Sequence, residues 1–204
     1  MRLRHPLPDV WLFSDERIAV GMAALVRALP PGGGIVLRHD SLSQGQRWRL
    51  ARRLARIAGA RKLLLLLAGQ PAFAKRGGAK GVHLRQHDAR LAAQAHRLGL
   101  FVTMPVHDAR EARRARRARA DAVFISPLHP TRSHPGAPAL GRAAWLRLAR
   151  LSGTQAIALG GMTGARARGL KRAGGIGSGW AAIDAWDEKA AKRRLPQKRN
   201  LVPT

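Results

Sequence analysis

The stretch "MPVHDAREARRARRARADAVFISPLHPTRSHPG", residues 104–136, decides the fold. Its centre, "REARRARRARA", sets alanines three positions apart at 112, 115 and 118 with arginines filling the positions between, the spacing of a helix with one narrow apolar stripe and a charged outer face. On either side stand the apolar runs "LFVTM" (100–104) and "AVFIS" (122–126), too short for helices and supplied with β-branched and aromatic residues, so they are expected to be strands. A strand, a helix over 108–118 and a second strand form the unit from which parallel sheets are built.

The same unit recurs outward in both directions. Further strands are expected at 10–14, 34–38, 62–67, 81–84, 155–159 and 175–179. Helical patterns lie at 18–28, 44–59, 71–77, 88–98, 140–151, 163–173 and 181–191. The strands are continuous apolar runs without clean alternation, as expected of a sheet covered on both faces. Eight strand and helix pairs close into a (β/α)8 TIM barrel more naturally than they form an open doubly wound sheet, the alternative that periodicity leaves standing. The expected architecture is one α/β domain over 1–190, followed by a basic, disordered tail, "AKRRLPQKRNLVPT" (191–204).

The formal net charge of +27 comes from 38 Lys plus Arg against 11 Asp plus Glu. An imbalance of that size attracts polyanions at low salt. Most of the cations sit on the outer faces of Ala/Arg/Leu helices, so a solvated surface is the plain reading and non-specific polyanion binding the alternative. With no Tyr and only four Phe, base stacking on a single strand has little to work with. The absence of Cys removes disulfides and thiolate chemistry. The N-terminus "MRLRHPLPDVWLFSDERIAV" lacks the apolar core and cleavage site of a signal peptide, and no run approaches the ~18 apolar residues of a membrane span. The expectation is a cytoplasmic protein with no membrane partner. No pattern in the sequence specifies an oligomeric state.

In a barrel the chemistry gathers in the loops after the strands. That directs attention to Ser14 and Asp15, to Arg38, His39 and Asp40, to the segment Arg85–Asp88, to His107, to the loop from Ser126 to Gly136, and to the glycine turns at 160–161 and 177–179. His107 stands at a strand end, where an imidazole suits general acid-base work; a hydrogen-bonded histidine opening a helix beside Asp108 is the plainer alternative. His83, inside "GVHL", is expected to pack structurally. In "ALGGMTGARARGL", Gly160 and Gly161 precede a helix that Thr163 can cap, and Ser178 with Gly179 repeats the arrangement one unit later. Glycine turns before helix N-termini suit a phosphate, and the loops after strands seven and eight are the common phosphate site of barrels. Thr131, Arg132, Ser133 and His134, in the proline-rich loop, could donate to an anion. Zinc is not expected, for want of thiolates and of a metal-like histidine spacing. Asp88 is the best candidate for magnesium.

The runs "WLFSDERI", "GGIVLRHD", "AKGVHLRQHD", "PVHDAREARRARRARADAVFISPLHPTRSHPG" and "AIALGGMTGARARGLKRAGG" together resemble the thiamine-phosphate synthase and thiazole tautomerase (TenI) family over residues 10–185. The resemblance implies a (β/α)8 barrel and a small phosphorylated thiazole as substrate. In the synthases a thiazole phosphate attacks a pyrimidine methyl carbon as magnesium-bound diphosphate leaves. The positions implied for that half are altered here. Arg38 matches, but the lysine two residues on is Asp40, the Asn-Asp pair after the third strand is Ala68 and Gly69, the serine before the "VH" motif is Pro105, and the loop lysine is His134. Asp88 matches the second magnesium ligand, and Gln86, Thr131 and Ser133 keep polar groups for substrate. The usual serine near the end of the eighth strand is Ala181. In the tautomerases the "VH" histidine, matched by His107, shuttles the proton that aromatises the thiazole carboxylate. The resemblance therefore favours tautomerase-like proton shuttling by His107 with no cofactor. A magnesium-dependent synthase and a degenerate, polyanion-binding barrel are the alternatives.

Overall fold

The structure, a computed structural model, describes residues 7–16, 21–131, 138–172, 179–183, 185 and 186. Its eight strands are β1 (Val10–Phe13), β2 (Gly34–Leu37), β3 (Leu64–Ala68), β4 (Gly81–His83), β5 (Phe101–Val106), β6 (Ala122–Ile125), β7 (Gln155–Ala158) and β8 (Gly179–Ala182). They pair in parallel, in chain order, and β8 closes on β1 through Trp11↔Ala181. Between them run α1 (Met22–Ala28), α2 (Gln44–Ala60), α3 (Pro71–Arg76), α4 (Ala92–Arg97), α5 (Ala109–Arg117), α6 (Gly141–Ser152) and α7 (Gly164–Arg172). The fold is a (β/α)8 TIM barrel. No helix among the described residues is long and apolar enough to cross a membrane.

Both faces of each strand are buried, which is why the strands lack polar alternation. On β2, Ile35 and Leu37 pack outward toward the helices while Val36 joins an inner plug with Trp11, Phe13, Leu66, Phe124 and Ile157. Phe124 meets Trp11 edge-on at 5.3 Å and Phe13 at 4.7 Å. An aromatic buried in this way removes roughly 150–250 Å² from water, about 4–6 kcal/mol each at ~25 cal/mol per Å². The plug needs room beside it. A Cβ at Gly34 would stand 2.2 Å from the Trp11 ring, so the inward glycine of β2 is the space Trp11 fills.

Three elements depart from the sequence reading. β5 runs two residues further, through Pro105, and so carries the chain to His107 without a break. The helix expected over 88–98 divides into a 3-10 turn at Gln86–Leu91 and α4. The eighth strand is "GWAA" at 179–182, beginning where "GIGSG" was expected to end. "GIGSG" has almost no side chains to fill either face, whereas Ala181 enters the inner plug and Trp180 stacks outward on Trp186 at 5.4 Å.

His83 faces inward at 7 % exposure. Its Nδ1 lies 3.0 Å from the Thr103 hydroxyl, and its ring meets Phe13 and Phe124 edge-on. Burial, reinforced by the Arg38 charge, pushes its pKa down to about 3. The folded protein therefore holds a neutral imidazole. An unfolded histidine titrates near 6.5, so as the pH falls below that value the unfolded state takes up a proton that the folded state refuses. Stability should fall from about pH 6.5 toward pH 3, with a slope from this residue approaching ~1.4 kcal/mol per pH unit. Urea titrations at several pH values across that window measure it. His83→Gln, which cannot titrate but can still bond Thr103, should flatten the slope; an unchanged slope would assign the acid sensitivity to other groups.

Candidate functional site at the barrel mouth

The loops after the strands form the mouth. Ser14, buried just past β1, ties the first two loops together: its Oγ accepts from the Arg38 N–H at 2.7 Å and lies 2.9 Å from His39 Nδ1. This holds His39 at φ +42°, and burial lowers its pKa. The Arg38 side chain is exposed. Asp40 is ion-paired at 2.9 Å with Arg85, which follows β4.

His107 is the first residue past β5, half exposed. Asp108 adopts extended backbone and caps α5, its carboxylate accepting from the Glu111 N–H at 2.8 Å. Glu111 reaches back. Its Oε2 accepts from the His107 backbone N–H at 2.7 Å and lies 2.8 Å from His107 Nδ1. A carboxylate on Nδ1 favours the tautomer with its proton there and leaves Nε2 as the basic nitrogen. The plainer alternative, a histidine opening a helix, thus describes the local structure, and that structure also orients the ring. Glu111 is absent from the residues singled out in sequence, although Asp-x-x-Glu before a helical run resembles a capping box.

Gln86 lies beneath this shoulder. Its Nε2 donates to the Pro105 carbonyl and its Oε1 accepts from Arg114 at 3.3 Å, so both ends of the amide are engaged by protein. Asp88 lies 3.4 Å from His87 Nε2. Among the described residues no three acidic, histidine or cysteine side chains gather as a metal site. Ala68 and Gly69 offer no side-chain oxygen where the resemblance expects Asn-Asp, while Asp88 keeps its carboxylate.

Across the mouth, the loops after β6 and β7 are joined by backbone hydrogen bonds, Leu128 N–H to Leu159 and His129 N–H to Gly160. Gly160 and Gly161 have φ of +93° and +60°. A Cβ on Gly160 would stand 2.7 Å from Pro127 Cα, and one on Gly161 2.5 Å from the Pro130 carbonyl. Close approach of the two loops is therefore sufficient reason for both glycines, independent of any ligand. Thr163 caps α7 as expected, accepting from the Arg166 N–H at 3.3 Å. Arg166, another residue that sequence reasoning missed, donates to the Gly161 carbonyl and puts a guanidinium beside the turn. Thr131 continues this loop, next to Pro130.

The eighth unit requires a correction. Gly179 opens β8 and does not close it: a Cβ there would stand 2.8 Å from the Asp9 carbonyl, at the N-terminal end of the barrel. It cannot join Gly160 and Gly161 at the mouth. Ser178, Ser133, His134 and the tail at 191–204 lie outside the described residues. A cavity of about 220 Å³ lined by Leu7, Pro8, Lys62, Leu63 and Phe101 also opens at the N-terminal end, away from these groups.

The mouth thus combines an oriented imidazole after β5 with a cationic, glycine-backed turn after β7. The model of the TMP-TENI family, described as thiamine monophosphate synthase, matches residues 15–185. The thiamine-phosphate synthase of Chromobacterium violaceum is 34% identical over 179 residues, 84% of this chain and 86% of that protein. The thiamine-phosphate synthase of Marinobacter nauticus is 30% identical over 82% of this chain and 78% of its own length. A solved structure of thiamine phosphate pyrophosphorylase from Pyrococcus furiosus has a TM-score of 0.74, covering 95% of this chain and 100% of that one at 18% identity, a likeness of fold. With nearly its whole barrel matched, the chain belongs to the thiamine monophosphate synthase/TenI family.

Proposed function

We propose that this barrel binds a phosphorylated thiazole and isomerises it, with His107 moving the proton. The observation that carries the reading is the Glu111–His107 pair at the end of β5. His107 Nε2 takes a proton from one ring position of a non-aromatic thiazole carboxylate and returns one to another, so the ring becomes aromatic with no net change in protons. The phosphate lies at the turn after β7, against the N-terminus of α7 and the Arg166 guanidinium, where free amide groups and positive charge favour an anion. Neither a metal nor an organic cofactor takes part. Incubating the protein with the non-aromatic isomer and following its conversion tests the reading directly. No conversion with EDTA present, under conditions where the phosphate ligand binds, would remove it.

The names of the two curated relatives favour a second reading, a synthase that joins thiazole phosphate to hydroxymethylpyrimidine diphosphate with magnesium. The altered positions argue against it, since a departing diphosphate needs cations and here Asp40 stands where a lysine is expected. Product formed only when magnesium and the pyrimidine diphosphate are both supplied would favour the synthase.

The surface supports a third, weaker activity. Arg49, Arg52, Arg53 and Arg56 are exposed on α2, a helix without a single carboxylate, and Arg113, Arg116 and Arg117 repeat the pattern on α5. Guanidinium groups on solvated helices should hold a nucleic-acid backbone only with dissociation constants of about 10⁻⁴ to 10⁻⁶ M, falling away as salt rises. Changing Arg113, Arg116 and Arg117 to Gln should reduce retention on DNA and leave thiazole-phosphate affinity intact; Arg114 is spared because it holds Gln86. A nanomolar, salt-resistant complex would overturn the enzyme-first reading.

A further inference from the structure

The cavity at the N-terminal end of the barrel lies opposite the mouth and takes no part in the chemistry above. It arises from the way the chain enters the fold. Leu7 packs under the inner plug, and the strap it forms with Pro8 is tied in place: Gln155 Nε2 donates to the Leu7 carbonyl at 3.0 Å and Trp11 Nε1 donates to the Pro8 carbonyl. Leu63, Leu64 and Phe101, where β3 and β5 begin, complete the apolar wall, and Gly32 and Lys62 complete the lining. At Gly32 the space is open, since a Cβ there would meet nothing within 4 Å.

Volume and wall chemistry decide what fits. The cavity's volume of about 220 Å³ exceeds the ~150 Å³ of an apolar cavity that accepts benzene. Its walls favour an apolar body by removing that surface from water. Polar recognition is narrower. The backbone N–H groups of Gly32, Leu63, Leu64 and Phe101 already donate to the carbonyls of Lys62, Ala58, Gly33 and Lys80. Lys62 is the one charged side chain in the described lining. It is exposed, and none of the ion pairs among the described residues includes it, whereas Lys171 at the same end of the barrel holds Asp9 at 2.9 Å. The helix before it explains how the cation is kept without a carboxylate. Lys62 follows α2 at φ +54°, its N–H donating to the Gly59 carbonyl at 3.2 Å, in the position that Gly99 takes after α4. A positive charge there suits the negative end of the helix dipole.

We propose that this cavity is a second ligand site, which takes a small carboxylate with a single-ring apolar body. The ring lies against Leu63, Leu64 and Phe101, and the carboxylate faces the Lys62 ammonium. Phosphate is a poorer match, because the lining offers one described cation and its described amide groups are bonded elsewhere. The site is independent of the mouth and of the reaction proposed there.

Ligand-observed NMR titration of the full chain with benzoate, benzyl alcohol and benzylammonium tests the proposal. At low salt benzoate should bind at least ~3-fold more tightly than benzyl alcohol, the scale of an exposed ion pair, and the gap should close as salt rises. Benzylammonium should bind least. Lys62→Met should abolish the preference for benzoate and leave benzyl alcohol unchanged; Lys62→Glu should reverse the order in favour of benzylammonium. Leu64→Phe, which adds bulk to the wall, should weaken all three ligands at least ~5-fold. Arg49→Met, an exposed cation on α2 outside the lining, should change nothing. Thermal melting of each variant shows that it is folded, and the exposed Lys62 variants keep the test valid if Leu64→Phe is not. If the wild type binds none of the ligands, if it binds benzoate no better than benzyl alcohol, or if the preference survives in Lys62→Met, the site is wrong.

Discussion

His107→Asn should lower turnover in the proposed isomerisation by at least ~10²-fold and leave ligand affinity nearly unchanged. The expectation follows from which contacts the substitution keeps. An asparagine amide N–H can occupy the place of Nδ1–H and donate to Glu111, so the 2.8 Å link and the 2.7 Å bond from backbone N–H to Glu111 can both persist. The start of α5 is then undisturbed, and only Nε2, the proton carrier, is gone. Steady-state rates beside calorimetric affinity separate the two effects. Turnover equal to the wild type would rule His107 out as acid and base. Glu111→Ala gives a graded control: it leaves the imidazole but removes the acceptor that orients it, so a smaller loss is expected. Glu111→Gln should recover part of that loss, because its amide oxygen can still accept from Nδ1–H.

The barrel was legible in sequence because its causes are local and repeated. A run such as "GIVLR" must be a strand covered on both faces, and "REARRARRARA" must be a helix with an alanine stripe, wherever they sit. The eighth strand was misplaced for the same reason in reverse. "GIGSG" matches a glycine turn before a helix, but the choice between it and "GWAA" is made by packing: Trp11, distant in sequence, pairs with Ala181, and Trp186 stacks on Trp180. The site divides in the same way. His107 could be found because strand periodicity alone puts it at the mouth. Arg47, whose guanidinium donates to the Ala68 carbonyl, could not, because nothing in "SQGQRWRLARRL" marks one arginine as crossing to the end of β3 while Arg49, Arg52 and Arg53 face water. Gln86 was legible as polar and near the mouth, but not as already bonded to Pro105 and Arg114.

The glycine turn after β7 shows how one motif can have two causes, and Gly161→Val separates them. Valine at φ +60° is strained by about 1–3 kcal/mol before any contact is considered. Its Cβ would also stand 2.5 Å from the Pro130 carbonyl and 2.9 Å from His129 Cβ, so the loops after β6 and β7 must part. The expected result is a clear fall in melting temperature together with loss of thiazole-phosphate binding, while retention on DNA, which depends on outer helices, is preserved. Lost binding alone would not distinguish a blocked phosphate site from a sprung loop. Arg166→Gln supplies the missing comparison: Arg166 is exposed and follows the turn it touches, so its replacement should leave folding almost unchanged. If phosphate sits at this turn, the loss of that charge should weaken thiazole-phosphate binding by roughly 10-fold. If affinity survives Arg166→Gln and falls only with Gly161→Val, both glycines serve loop packing alone, and the phosphate must be held elsewhere in the mouth.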